Sequence, residues 1–211
     1  MKYFPSWNTV PSNDFYTNVY NQYISSNTNY LNTLARILSD HAFVCPNYKL
    51  AESFSVKNNK VYVYNYAYRF FTSLIPSNLV PYLGPATHAD ELIMTFGFVL
   101  SDDLALFTDD KEKLFNLEIV KYWTNFVKYN DPNGINTQTG VIWETFLNSS
   151  SKKLDSFVND GKYISFTNDA IQMKKGYASH NCDFWYSNAS RIGSKSIYIS
   201  IMVGLFISFL Y

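Results

Sequence analysis

The stretch KVYVYNYAYRFF, residues 60–71, alternates without a slip. Val61, Val63, Asn65 and Ala67 fall on one side, and Tyr62, Tyr64, Tyr66 and Tyr68 on the other. β-Branched and aromatic residues at period two predict a strand, either covered on both faces or an edge strand packed with aromatics. Pro76, Pro81, Gly84 and Pro85 then break the chain into a loop. At its end stands PYLGPATHADELIMTFG, residues 81–97. Here His88 is followed by two carboxylates, Asp90 and Glu91, and by a Phe-Gly pair. Alone, such a histidine reads as a satisfied loop residue.

Around this centre the pattern is mainly helical. Leu31, Leu34, Ala35 and Leu38 repeat at helical spacing, so residues 29–39 read as the end of a helix. DHAFVCPNY, residues 40–48, breaks it, with Pro46 as punctuation, and Leu50, Ala51 and Phe54 suggest one short helix more. Asp109 or Asp110 is placed to cap a helix over 111–129, whose buried stripe is Phe115, Ile119, Tyr122, Trp123 and Phe126. NDPNG, residues 130–134, ends it in strong turn chemistry. LDSFVNDGKYISF, residues 154–166, reads as a hairpin turning at Asp160-Gly161, and a last helix is expected over about 169–185. One strand among several helices is little sheet for a free-standing α/β domain.

Composition excludes several classes. The 211 residues are 47% hydrophobic, which is ample for a folded core. Lys+Arg and Asp+Glu number 17 each, so no charge excess points to nucleic acid. Tyr and Phe number 18 and 17 and fit an aromatic core. There is no Gly-rich phosphate loop, and no cofactor is expected. His41, His88 and His180 are scattered, and the cysteines form no close pair, so no zinc site is expected. Cys45 and Cys182 read equally well as a long-range disulfide or as two separate buried thiols.

The two ends point in different directions. The N-terminus has no apolar signal segment. The C-terminus closes on IYISIMVGLFISFLY, residues 197–211, uncharged but short for a bilayer span: fifteen helical residues reach about 22 Å against ~30 Å of hydrocarbon. Before it, small residues at Ser187, Asn188 and Ala189 and a polar spacer give the order of a glycolipid-anchor signal, with Ser187 or Asn188 as candidate anchor site. A marginal tail anchor and a core helix are the competing readings. Asn148 and Asn188 sit in N-x-[ST] acceptors, a weak signal for glycosylation. The expectation is an extracellular or cell-surface protein, held at the membrane by its tail or a lipid. An anchor without an entry signal implies that the natural N-terminal part is missing here.

Taken in order, DHAFVCP (40–46), VYVYNYAYRF (61–70), HADELIMTFG (88–97), YWTNFVKYNDPNG (122–134) and CDFWY (182–186) resemble the C-terminal part of the type B carboxylesterase and cholinesterase family. The resemblance covers residues 31–186; residues 1–30 match only loosely, 187–196 are the spacer and 197–211 the tail. It implies an α/β class: the late portion of an α/β-hydrolase fold, a late sheet strand with surrounding helices. It implies that His88 is the general base of a Ser-Glu-His triad, with Glu91 and Gly97 completing its local motif. It implies a Cys45–Cys182 disulfide, and packing roles for Trp123, Asn125, Phe126, Asp131, Pro132 and Asn133. Asp90 and Glu91 are expected to hold the His88 loop. Ala89 departs from the family's frequent glycine.

No G-x-S-x-G elbow occurs in the chain. The family's order of serine, acid and histidine places nucleophile, acid and oxyanion donors upstream. The chain alone is therefore expected to be inactive, and a small ester is its substrate only when those parts are supplied. The alternatives are a non-catalytic esterase-like surface or adhesion module, and a tail-anchored helical protein of other role.

Overall fold

The computed structural model describes residues 13–24, 29–57, 59–70, 76–101, 109–134, 140–147, 161–177 and 181–186. The alternating tyrosine stretch does form a strand, β1 (Tyr64–Ala67), with extended chain on either side. It pairs in parallel with β2 (Lys162–Thr167), Tyr64 opposite Ile164 and Ala67 opposite Thr167. A third strand, β3 (Ile171–Lys175), completes a mixed sheet in the order β1–β2–β3. Four consecutive β2 residues are buried, as a central strand covered on both faces requires. The three strands and their helices make this a mixed α/β chain, with more sheet than the single expected strand.

The turn joining β2 to β3 lies at 168–170; the first arm of the hairpin expected over 154–166, with Asp160 of its turn, lies outside the described residues. Thr167 N–H donates to Ala170 O, and the Thr167 hydroxyl bonds both the N–H and the C=O of Ala170. The helix expected over 169–185 is therefore overturned at its start. Ile171 and Met173 are half-buried while Gln172 and Lys174 are exposed, a period of two that only a strand can bury on one side. Helix returns only over 181–186.

The described residues divide into two units. One holds the sheet with α4 (Val80–Leu83), α5 (Asp90–Thr95) and α6 (Asp110–Tyr129). Its core gathers Phe70, Met94, Ile119, Tyr122, Trp143 and Phe166. The rings meet mostly edge to face, Tyr122 and Trp143 at 5.6 Å and 83°, the arrangement their quadrupoles favour. Helix α6 begins where Asp109 Oδ1 accepts Glu112 N–H at 2.7 Å and ends at left-handed Asn130. Its buried face differs from the expected stripe. Asn116 and Asn125 are inside, while Phe126 is 42% exposed. The asparagines are tolerated there because each bonds a backbone carbonyl, Asn116 that of Met94 and Asn125 that of Pro132.

The other unit is helical: α1 (Asn13–Tyr23), α2 (Tyr30–Ser39), α3 (Cys45–Ser55) and α7 (residues 181–186). Asn29 caps α2, so residues 29–39 open a helix rather than end one. The chain does not break after it. A π-helical turn over Asp40–Val44 leads straight into α3, where Pro46 occupies the first turn and needs no N–H partner. Leu31, Leu34 and Leu38 face outward; Thr33 is the buried residue of α2.

Candidate active site

Everything around His88 follows from a short turn and the helix it starts. Asp90 N–H donates to Thr87 O at 3.1 Å, closing a turn over residues 87–90. Ala89 takes its third place at φ 75° and ψ −3°, the conformation that a type II turn asks of glycine. Asp90 then reaches back. Its Oδ2 accepts Thr87 N–H at 2.8 Å and the Thr87 hydroxyl at 3.3 Å. The acid two residues after the histidine thus ties the turn that carries it to the first residue of α5. This is the holding role expected of Asp90. His88 itself is exposed on the turn.

The far end of the motif is equally determined. Phe96 N–H bonds Leu92 O and Gly97 N–H bonds Met94 O, and Gly97 stands at φ 69° as the left-handed stop of α5. A side chain at Gly97 would meet Val120 on α6 at 3.5 Å. Asn116 on α6 donates to Met94 O, so α5 is pinned from below. Asn116 and Thr87 are the positioning residues that sequence reasoning missed. The spacing of Thr87 from Asp90 was a usable signal for Thr87. Asn116 gave none, because its partner is 22 residues away.

Glu91 is buried, 3% exposed. Burial pushes its carboxyl up to about 7, with the Asp90 carboxylate adding to the rise and the backbone N–H groups at the helix start opposing it. The Tyr64 and Tyr66 hydroxyls are pushed well above the usual phenol range by burial, and the Glu91 and Asp90 charges raise them further. Both hydroxyls are inaccessible and make no hydrogen bond among the described residues.

The remaining sequence-derived sites lie elsewhere. Cys45 and Cys182 are buried in the helical unit and joined as a disulfide, Cα atoms 5.1 Å apart. Its surroundings are a polar lock. Trp185 Nε1–H donates to the Tyr23 hydroxyl at 2.7 Å, that hydroxyl donates to Asp40 Oδ2 at 2.9 Å, and Asn181 Nδ2 donates to the same oxygen at 2.8 Å. His41 packs against Trp185 with ring centroids 4.5 Å apart and planes tilted by 38°, and burial lowers its pKa. Trp123, Asn125, Asp131, Pro132 and Asn133 do pack as expected around the end of α6. Asp131 Oδ1 accepts Asn133 N–H at 2.9 Å, and Asn133 pairs with the Trp143 backbone at 2.7 and 3.0 Å. His180, Asn148, Ser187, Asn188 and the apolar tail lie outside the described residues. Among the described residues no cluster of three His, Cys, Asp or Glu could hold a metal ion, and no helix is long and apolar enough to cross a membrane.

The sequence model of the carboxylesterase family matches residues 7–185. Acetylcholinesterase of Bungarus fasciatus is 26% identical over 149 residues, 71% of this chain and 22% of that protein. Carboxylesterase 5A of Mus musculus is 28% identical over 142 residues, 66% of this chain and 24% of that protein. The chain thus spans less than a quarter of the length of these curated relatives. With the match running through both units and across the His88 turn, the chain belongs to the carboxylesterase family.

Proposed function

We propose that this chain is the histidine-bearing portion of a carboxylic ester hydrolase of α/β-hydrolase fold, with His88 as general base. The observation that carries the reading is the His88 turn itself: an exposed imidazole on a backbone that Asp90 and a left-handed Ala89 hold in one shape. An imidazole titrates near neutrality, so it can take the proton from a serine hydroxyl as that oxygen attacks the ester carbonyl. It then returns the proton to the departing alkoxide, which leaves as the alcohol. Serine, triad acid and oxyanion donors would come from sequence outside these 211 residues, and without them the base has little to act on.

The disulfide supports an oxidising, extracellular setting. Glycans at Asn148 and Asn188 and a glycolipid replacing the tail after Ser187 or Asn188 complete the proposal; a glycosidase shift and release by a phosphatidylinositol-specific phospholipase would check them.

The deciding experiment maps the transcript upstream of Met1 and expresses both the 211-residue chain and the longest in-frame chain. Hydrolysis of p-nitrophenyl butyrate is expected from the long chain alone, with kcat falling by about 10³-fold or more in His88→Ala. Activity indifferent to that change would sink the assignment. A frame that truly starts at Met1, with no G-x-S-x-G supplied, would favour the non-catalytic surface module instead.

A further inference from the structure

The turn after α6 holds the one Asn-Gly pair of the chain, Asn133-Gly134. Such a pair is open to a spontaneous reaction, because glycine has no Cβ to shield its backbone nitrogen. That nitrogen can attack Cγ of the asparagine side chain. A succinimide ring forms, and the amide nitrogen leaves as ammonia with the proton of the glycine N–H. Water then opens the ring at either carbonyl, giving aspartate or isoaspartate.

Here both reacting groups are occupied. Asn133 Nδ2 donates to Asp131 Oδ1 at 2.9 Å and to Trp143 O at 3.0 Å, and Asn133 Oδ1 accepts Trp143 N–H at 2.7 Å. The nucleophile, Gly134 N–H, donates to Asp131 O at 3.1 Å. Ring closure has to swing Cγ onto Gly134 N, so these four bonds must break first. Trp143 makes that opening costly. It is buried, its ring meets Tyr122, Trp123 and Phe166 at 5.5 to 6.0 Å, and its Nε1–H donates to Val63 O on the strand side at 3.1 Å.

The product does not fit the closed turn. A carboxylate at 133 has no N–H to give Asp131 Oδ1 or Trp143 O. It would also set a negative charge against the Asp131 carboxylate, which the Asn133 N–H and the Tyr62 hydroxyl hold in place. Isoaspartate further lengthens the backbone by one carbon within a turn that needs left-handed Asn130 and Gly134.

We propose that Asn133 is a fold-gated deamidation site, reactive when the 130–143 turn opens and converted to a product that keeps the turn from closing as before. A chain that spends time open is thereby marked irreversibly, at the residue that pins Trp143.

The test uses the longest in-frame chain carrying these residues, kept at mildly alkaline pH, folded in buffer or reduced and unfolded in guanidinium chloride. Fragment mass spectrometry locates the amide-to-acid change, and methyl transfer by an isoaspartyl methyltransferase counts isoaspartate. Asn133 is expected to convert more slowly in the folded chain by about tenfold or more. Gly134→Ala, read in denaturant where folding plays no part, should slow the conversion. Asn133→Asp should lower the urea midpoint and weaken the near-ultraviolet circular dichroism to which Trp143 contributes. Equal rates in the two states overturn the proposal. So does an Asn133→Asp chain with an unchanged midpoint, or conversion in denaturant indifferent to Gly134→Ala. If Asn133→Asp yields no folded protein, the two rates of the unaltered chain decide alone.

Discussion

Glu91 is the residue of the candidate site that pH reads most directly. Its folded value of about 7 lies above the ordinary 4.5, so between these limits the folded chain binds more protons than the unfolded one. The stabilising contribution is complete below about 4.5 and is lost as pH rises through about 7. Glu91→Gln should remove that slope and raise stability at pH 8 by up to about 3 kcal/mol, with little change at pH 4. Urea midpoints at the two pH values would show it, and parallel slopes in both proteins would refute it. Ala89 gives an opposite kind of prediction. A non-glycine residue in the left-handed region costs about 1–2 kcal/mol, partly offset by the extra freedom glycine gives the unfolded chain. Ala89→Gly should therefore raise the melting temperature, equivalent to about 0.5–1 kcal/mol. Tyr64→Phe removes a buried hydroxyl that has no partner among the described residues, so thermal unfolding should show no loss of stability and a small gain.

At the scale of elements, caps and periods did most of the work. Asp109 is the clear case. Its carboxylate closes the first turn of α6, and Asp109→Ala should cost about 1 kcal/mol in chemical denaturation. Where the reading failed, a second element had decided. Residues 169–185 looked helical because β3 is only five residues long, too short for its alternation to stand out. Its strand identity comes from β2 and the Thr167 turn. On α6, Asn116 and Asn125 hold places on the buried face by donating to the Met94 carbonyl of α5 and to the Pro132 carbonyl just past the helix end. Leu31, Leu34 and Leu38 have the right spacing for a core stripe, but Thr33 is the residue buried. Leu34→Gln is thus expected to leave the thermal midpoint nearly unchanged.

For the whole molecule, the longest-range constraint is the Cys45–Cys182 bond, which closes 137 residues. In the chain-entropy account such a loop contributes about 5 kcal/mol, usually less in practice. Replacing both cysteines by serine should lower stability by about 2–5 kcal/mol, measured by urea unfolding. The Tyr23–Asp40–Asn181 hydrogen bonds should still dock α7 in the reduced protein, giving retained Trp185 burial by fluorescence.

Motif order by itself determined the family, the place of the candidate base and the identity of β1 and α6. These are local matters: residue type at fixed spacing sets strand, cap and turn. The disulfide partners became legible only through the family resemblance, since two cysteines alone left the pairing open. The tertiary structure decided which face of α2 is buried, where the β2–β3 turn falls, and that Asn116 holds the last turn of α5. It also buried Glu91 and so raised its carboxyl to about 7. The physical reason is common to all four. Burial and hydrogen-bond satisfaction depend on groups brought together from far along the chain, and no local spacing encodes what will lie across from a residue once the chain has folded.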